Sequence, residues 1–224
     1  MEAGKPGRKR AFQLSSGPGD PPRLFAGQDD FAAWLAANHS KSAGIWLRLA
    51  KKGSPLRSLS YAQAIEVALC WGWIDAQKKA ENQHAWLQRF TPRRDRSIWS
   101  KINRQKAAAL IAAGRMQPPG LEQVECAQQD GRWDAAYDSP AGAQVPEDLA
   151  AALHRNPRAK AFFDALDRAN RYAILWRLQT AKKAETRARR IQQFVEMLAK
   201  HTKIHPDRVT TSAAVRPSAT PRKP

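Results

Sequence analysis

Residues 60–91 constrain the fold more than any other stretch of the chain. Ser60 is followed three residues later by Gln63, the reciprocal pattern that closes a helix N-terminus. Tyr61, Ala64, Ile65, Ala68 and Leu69 then recur at helical spacing, and Gly72 stops the run. In residues 73–79, Ile74 and Ala76 alternate with Trp73, Asp75 and Gln77. In residues 85–91, Ala85, Leu87 and Arg89 alternate with Trp86, Gln88 and Phe90. Two period-two runs joined by Ala80-Glu81-Asn82-Gln83-His84 predict an antiparallel hairpin. Residues 45–50, with Ile45, Leu47 and Leu49 on one face, add a further strand.

The expected fold is therefore α+β: a small antiparallel sheet with packed helices, followed by an all-helical C-terminal domain. Around the sheet, a first helix carries Phe31, Trp34 and Leu35, with Asp29 or Asp30 as its cap. A helix capped by Asp95 or Ser97 carries Trp99, Ile102, Lys106, Ala109 and Leu110 and ends at Gly114. A weaker one follows Pro118-Pro119. Ser139-Pro140-Ala141-Gly142-Ala143 is the clearest internal linker. Beyond it, Pro146, Asn156-Pro157, Tyr172 to Gln179 and Thr186 to Leu198 mark four helices. The expected domains are residues 23–140 and 141–200. Residues 1–22 and 201–224, rich in Gly, Pro, Ser and basic groups, are expected to be disordered tails.

The formal net charge is +18 over 224 residues. Residues 1–23 hold five Lys/Arg against two acids and residues 200–224 hold six against one, so the body between them is itself basic. Such a surplus favours an anionic ligand or nucleic acid as partner, or reflects only a soluble basic protein. Two cysteines, Cys70 and Cys126, build no disulfide framework. No apolar run is long enough for a bilayer-spanning helix and no secretory h-region stands at the N-terminus, which makes a cytoplasmic location the expectation.

Four of the eight tryptophans, Trp71, Trp73, Trp86 and Trp99, lie within residues 69–103 beside a dense run of cations. Trp71 and Trp99 fall on or beside apolar helix stripes and are expected in the core. On strict alternation Trp73, Asp75 and Gln77 share one face of the hairpin with Trp86 and Gln88. Beside that face, Thr91-Pro92-Arg93-Arg94 leads through Arg96 to the helix start expected at Asp95 or Ser97, where free N–H groups and guanidinium forks suit phosphate or carboxylate. The candidate ligand site is thus Trp73, Asp75, Gln77, Lys78, Trp86, Gln88, Arg89, Thr91, Arg93, Arg94 and Ser97. The alternative is a structural network in which the arginines pair with Asp75, Asp95 or Glu81 and Asp75 pairs with Arg89 or Lys78.

No catalytic residues, cofactor or metal are expected. There is no Gly-rich phosphate loop, no G-x-S-x-G and no Cys/His nucleophile pair. His201 and His205 have ligand spacing, but Pro206 breaks the helix they would need. The basic run 181–190 between two helices looks like the turn of a DNA-binding helix pair, yet no recognition helix can be singled out, and a solvated basic face is the alternative.

GIWLRLAKKGS, SLSYAQAIEVALCWGWIDAQKK, WLQRFTPRRDRSIWSKIN, DGRWDAAY and NRYAILWRLQTAKKAETRARRI together resemble the YdeI/OmpD-associated, or bacteriocin-protection, family. The resemblance runs from about residue 24 to 198. It implies a bacterial protein of bacteriocin or antimicrobial-peptide tolerance, an OmdA-type domain after Pro146, and an envelope or porin-related partner. It implies no reaction. Ala184 and Ala76 stand where the family pattern leads one to expect Pro and Gly. Three functions follow: a stress-tolerance binding protein, a nucleic-acid- or phosphate-binding module on the Arg/Trp stretch, or a small-molecule enzyme or receptor centred on Asp75.

Overall fold

The computed structural model describes residues 21–206; the expectations for residues 1–20 and 207–224 lie outside them. The chain divides into two compact units between Ser139 and Pro140. No helix of the described residues is long and apolar enough to cross a membrane.

The first unit is α+β. Helix α1 (Gln28–Asn38) is followed by strand β1 (Ile45–Ala50), helix α2 (Tyr61–Cys70) and the hairpin β2 (Trp73–Ala80) and β3 (Ala85–Pro92). Helices α3 (Lys101–Ala112) and α4 (Pro118–Gln129) complete it. The sheet is antiparallel, in the order β1-β3-β2. Arg23 extends it by a parallel bridge to Leu47. Ser60 Oγ accepts from Gln63 N while Gln63 Oε1 accepts from Ser60 N, so the capping box closes as the sequence predicts.

Cross-strand partners sort the side chains into two faces. Ile45, Leu47, Leu49, Phe90 and Trp73 stand on the inner face and join Phe31, Leu35, Leu59, Ile65 and Leu69 in one core. The outer face carries Trp46, Arg48, Leu87, Arg89, Thr91 and Lys79, none of them fully buried. Strict alternation fails at one place. Asp75 pairs with Phe90 but Lys78 pairs with Gln88, so Ala76 and Gln77 together oppose Arg89 in a β-bulge. Buried Gln88 donates to the Gln77 carbonyl at 3.0 Å and to the Arg89 carbonyl at 3.1 Å, fixing the bulge.

Two helix details depart from the sequence reading. Helix α3 is capped by Ser100, whose Oγ accepts from Asn103 N, and not by Asp95 or Ser97. Ser97 Oγ instead accepts from Arg94 N in a turn. With the start moved, the buried stripe of α3 is Ala107 and Leu110, while Ile102 is 46% exposed. In α1 the cap is Gly27, and Asp30 reaches back to the Gly27 N–H.

The second unit holds four helices, α5 (Glu147–His154), α6 (Pro157–Asp164), α7 (Arg168–Gln179) and α8 (Ala184–Ala199). They enclose a core of Leu149, Leu153, Phe163, Ile174, Leu178 and Leu198 that shares no residue with the first. Asn156 caps α6 ahead of Pro157. Residue 205 lies against α7: His205 N donates to Asn170 Oδ1 and Asn170 Nδ2 to the His205 carbonyl.

Candidate ligand site beside the hairpin

Asp75 leaves β2 on the inner face, one residue before the bulge. Tyr61, the first residue of α2, is placed over it by the capping box, and its hydroxyl donates to Asp75 Oδ2 at 2.7 Å. The Tyr61 ring also lies 5.7 Å from the Trp86 ring. Lys78 holds its ammonium 4.3 Å from that same indole. Burial, then the bond to Asp75, pushes the Tyr61 phenol above its ordinary range.

Arg93 follows β3. Its N–H donates to the Gly72 carbonyl, and its side chain turns inward until only 7% of the residue is exposed. The guanidinium carbon sits 3.6 Å from the centre of the Trp99 ring. Its one hydrogen bond, from Nη1 to the Ile98 carbonyl, is long at 3.4 Å. Arg93 Nε and Trp99 Nε1 are both buried, and neither has an acceptor among the described residues. Burial lowers the Arg93 pKa to about 10; nearby Tyr137 and Asp75 favour its charge, and Arg132 opposes it.

Tyr137 reaches this neighbourhood from the far end of the unit. Its N–H donates to the Trp99 carbonyl and its own carbonyl accepts from Lys101 N. Burial and the charge of Asp75 raise its phenol. Arg132 is tied to Asp130 at 2.6 Å and donates to the Ser97 carbonyl at 2.9 Å.

The expected site residues therefore fall into separate groups. Asp75, Trp86, Lys78 and Gln88 share the inner face with Trp73, but Trp73 is 1% exposed and Gln88 is 3% exposed, a core indole and a bulge-holding amide. The bulge takes Gln77 out of the alternation that would have set it beside Asp75; its side chain is exposed and its carbonyl serves Gln88. Arg89 and Thr91 point to the outer face, opposite Trp46 and Ile74 respectively. Arg94 is exposed and Ser97 belongs to its turn, seven and four residues respectively before α3 begins at Lys101. No helix terminus follows that turn directly, so free helix N–H groups do not join Arg93, Arg94 and Arg96. Glu81 is held by Arg48 in a two-pronged pair at 2.6–2.9 Å. Tyr61, Trp99, Arg132 and Tyr137 were not among the expected site residues. The capping box pointed to Tyr61 at a helix start, whereas Tyr137 is joined to Trp99 by a contact that local spacing does not reveal.

Concave surfaces of some size lie elsewhere. One of about 390 Å³ is lined by Gln28, Asp29, Trp71, Cys70, Arg115 and Gln117. In the second unit, one of about 510 Å³ lies between α5 and α8, and one of about 560 Å³ runs along Tyr172 and Trp176 of α7. The basic elbow between α7 and α8 is occupied in capping. Arg187 donates to the Leu178 carbonyl and pairs with Asp148, while Arg190 donates to the Arg177 carbonyl. Cations at the negative end of α7 are where its dipole and its unpaired carbonyls want them.

Comparison with known families gives a separate match for each half. Residues 23–123 match a domain of unknown function (DUF8412). Residues 142–201 match the family described as bacteriocin-protection, YdeI or OmpD-associated. No curated protein matches the chain, and no solved structure does. The match to the bacteriocin-protection, YdeI or OmpD-associated family is confined to residues 142–201, within the second unit.

Proposed function

We propose that this chain is a binding protein of bacteriocin or antimicrobial-peptide tolerance, and that its first unit takes a small carboxylate- or phosphate-bearing ligand at Arg93. The tolerance role and an envelope or porin-related partner rest on the description of the family matched by residues 142–201. The ligand rests on one observation: two neighbouring buried donors, Arg93 Nε and Trp99 Nε1, lack an acceptor. A buried donor without a partner costs about 1–3 kcal/mol, more when it carries charge. An anionic oxygen removes that cost, so binding and stability are coupled.

Melting the full chain against a panel of small carboxylates and phosphates at low salt tests the ligand. A binder raises the melting temperature of the wild type and changes tryptophan emission, because the guanidinium lies on Trp99. Arg93→Met, which keeps the length and removes the donors, abolishes the response without lowering the ligand-free melting temperature. If no anion stabilises the wild type, the ligand reading fails. The tolerance role is tested separately: deletion of the gene raises sensitivity to cationic peptides or bacteriocins, and unchanged sensitivity counts against it.

A further inference from the structure

The outer face of the sheet differs in chemistry from the inner one. Trp46 stands at its centre, directly across from Arg89 on β3. In the next row Arg48, Leu87 and Lys79 line up across all three strands. Lys79 spans the sheet to place its ammonium 4.7 Å from the Trp46 ring. Gly44, across from Thr91, has no side chain; a Cβ there would sit 3.1 Å from Arg89 Nε and 3.0 Å from Thr91 Cγ2. The face therefore has a part-exposed indole with cations on both flanks. Arg48 is neutralised by Glu81. Among the described residues the Arg89 guanidinium makes no hydrogen bond or ion pair, and the Lys79 ammonium is engaged only with the indole.

We propose that this face binds single-stranded nucleic acid, a base stacking on Trp46 while Arg89 and Lys79 contact the flanking phosphates. Charge selects the occupant: the face offers two cations held in no ion pair around an aromatic plane, and a polyanion with a flat π-surface at each repeat complements both. A duplex does not, because its bases are already stacked and their faces hidden. Lys79 gives up an exposed cation–aromatic contact worth about 0.5–1 kcal/mol and gains a phosphate. The surface is distinct from the Arg93 site, which lies on the inner side of the unit.

Fluorescence anisotropy of the full chain with short labelled single-stranded DNA and RNA, across a salt series, tests this. Trp46→Ala is expected to weaken binding by about 5- to 150-fold, the range of one lost base–aromatic stack. Trp46→Phe, which keeps a ring and guards against misfolding, retains most of the affinity. Lys79→Gln and Arg89→Gln each reduce the slope of log affinity against log salt by about 0.7. Absence of binding at low salt overturns the proposal. So does wild-type affinity in Trp46→Ala and Arg89→Gln, which would assign binding to the basic terminal segments. Equal affinity for duplex, or full competition by an acidic peptide or anionic vesicles, overturns it as well.

Discussion

Asp75 acts on three neighbours at once. It accepts from Tyr61, raises the phenol of Tyr137 and favours the charge of Arg93 through space. Both phenols are raised chiefly by burial, with Asp75 the next contribution. Removing its charge therefore lowers both without returning either to the ordinary value. Alkaline titration followed by tyrosinate absorbance checks this: in Asp75→Asn the late-ionising phenols move to lower pH, and an unchanged curve would mean that Asp75 does not reach them. The sign for stability follows. Above pH ~10 the unfolded chain releases phenolic protons that the folded chain keeps, so the contribution of Tyr61 and Tyr137 is complete below that pH and is lost as pH rises through the folded values. Arg93 runs the other way, since its folded pKa lies below that of the unfolded chain. Its burial penalty is present while it is charged and is relieved above about pH 10.

At the scale of elements, α2 and α4 cross with backbone close against backbone. Gly72 ends α2 at φ +72°, and a Cβ on it would press on the Pro119 carbonyl; one on Gly120 would overlap the Cys70 carbonyl. Backbone on both sides leaves no flexible atom to give way. Gly120→Ala is expected to cost about 1–3 kcal/mol, read as a lower urea midpoint, and a midpoint unchanged from wild type would show that the helices part freely. Local signals of this kind were what the sequence expressed well. The capping box, the Gly72 stop, the three strands and the Asn156-Pro157 helix start each depend on residues a few positions apart. The start of α3 was not legible, because three plausible caps stand within six residues and the choice falls to Ser100, whose backbone bridges Tyr137. The bulge was hidden too: exposed Gln77, Lys78 and Lys79 suit either phase of a strand. That phase change takes Gln77 off the expected face and brings Lys78 onto it, whereas Arg89 and Thr91 leave it by ordinary alternation along β3.

Among the described residues, cations are put to several uses besides surface ion pairs. Arg187 and Arg190 close a helix end, Arg93 is buried on an indole, and Lys79 and Arg89 remain at the surface. A net charge of +18 cannot distinguish them. The bulge in β2 also bears on how separate molecules meet. Because two residues are spent where one would do, deleting Gln77 restores a regular strand in which Lys78 still faces Trp86 and Lys79 still faces Trp46. Gln88 loses a partner, but each side chain keeps its side of the sheet. What the deletion straightens is the outer edge of the sheet, since β2 is a margin strand with its second row of N–H and C=O groups turned away from β3. A straight edge is a template for a second copy, and an interrupted one is not. The shortened chain should fold yet associate as its concentration rises, which sedimentation velocity would detect, whereas a monomer throughout would deny the bulge this part. On that reading the extra residue serves solitude: it keeps one molecule's sheet from becoming the start of another's.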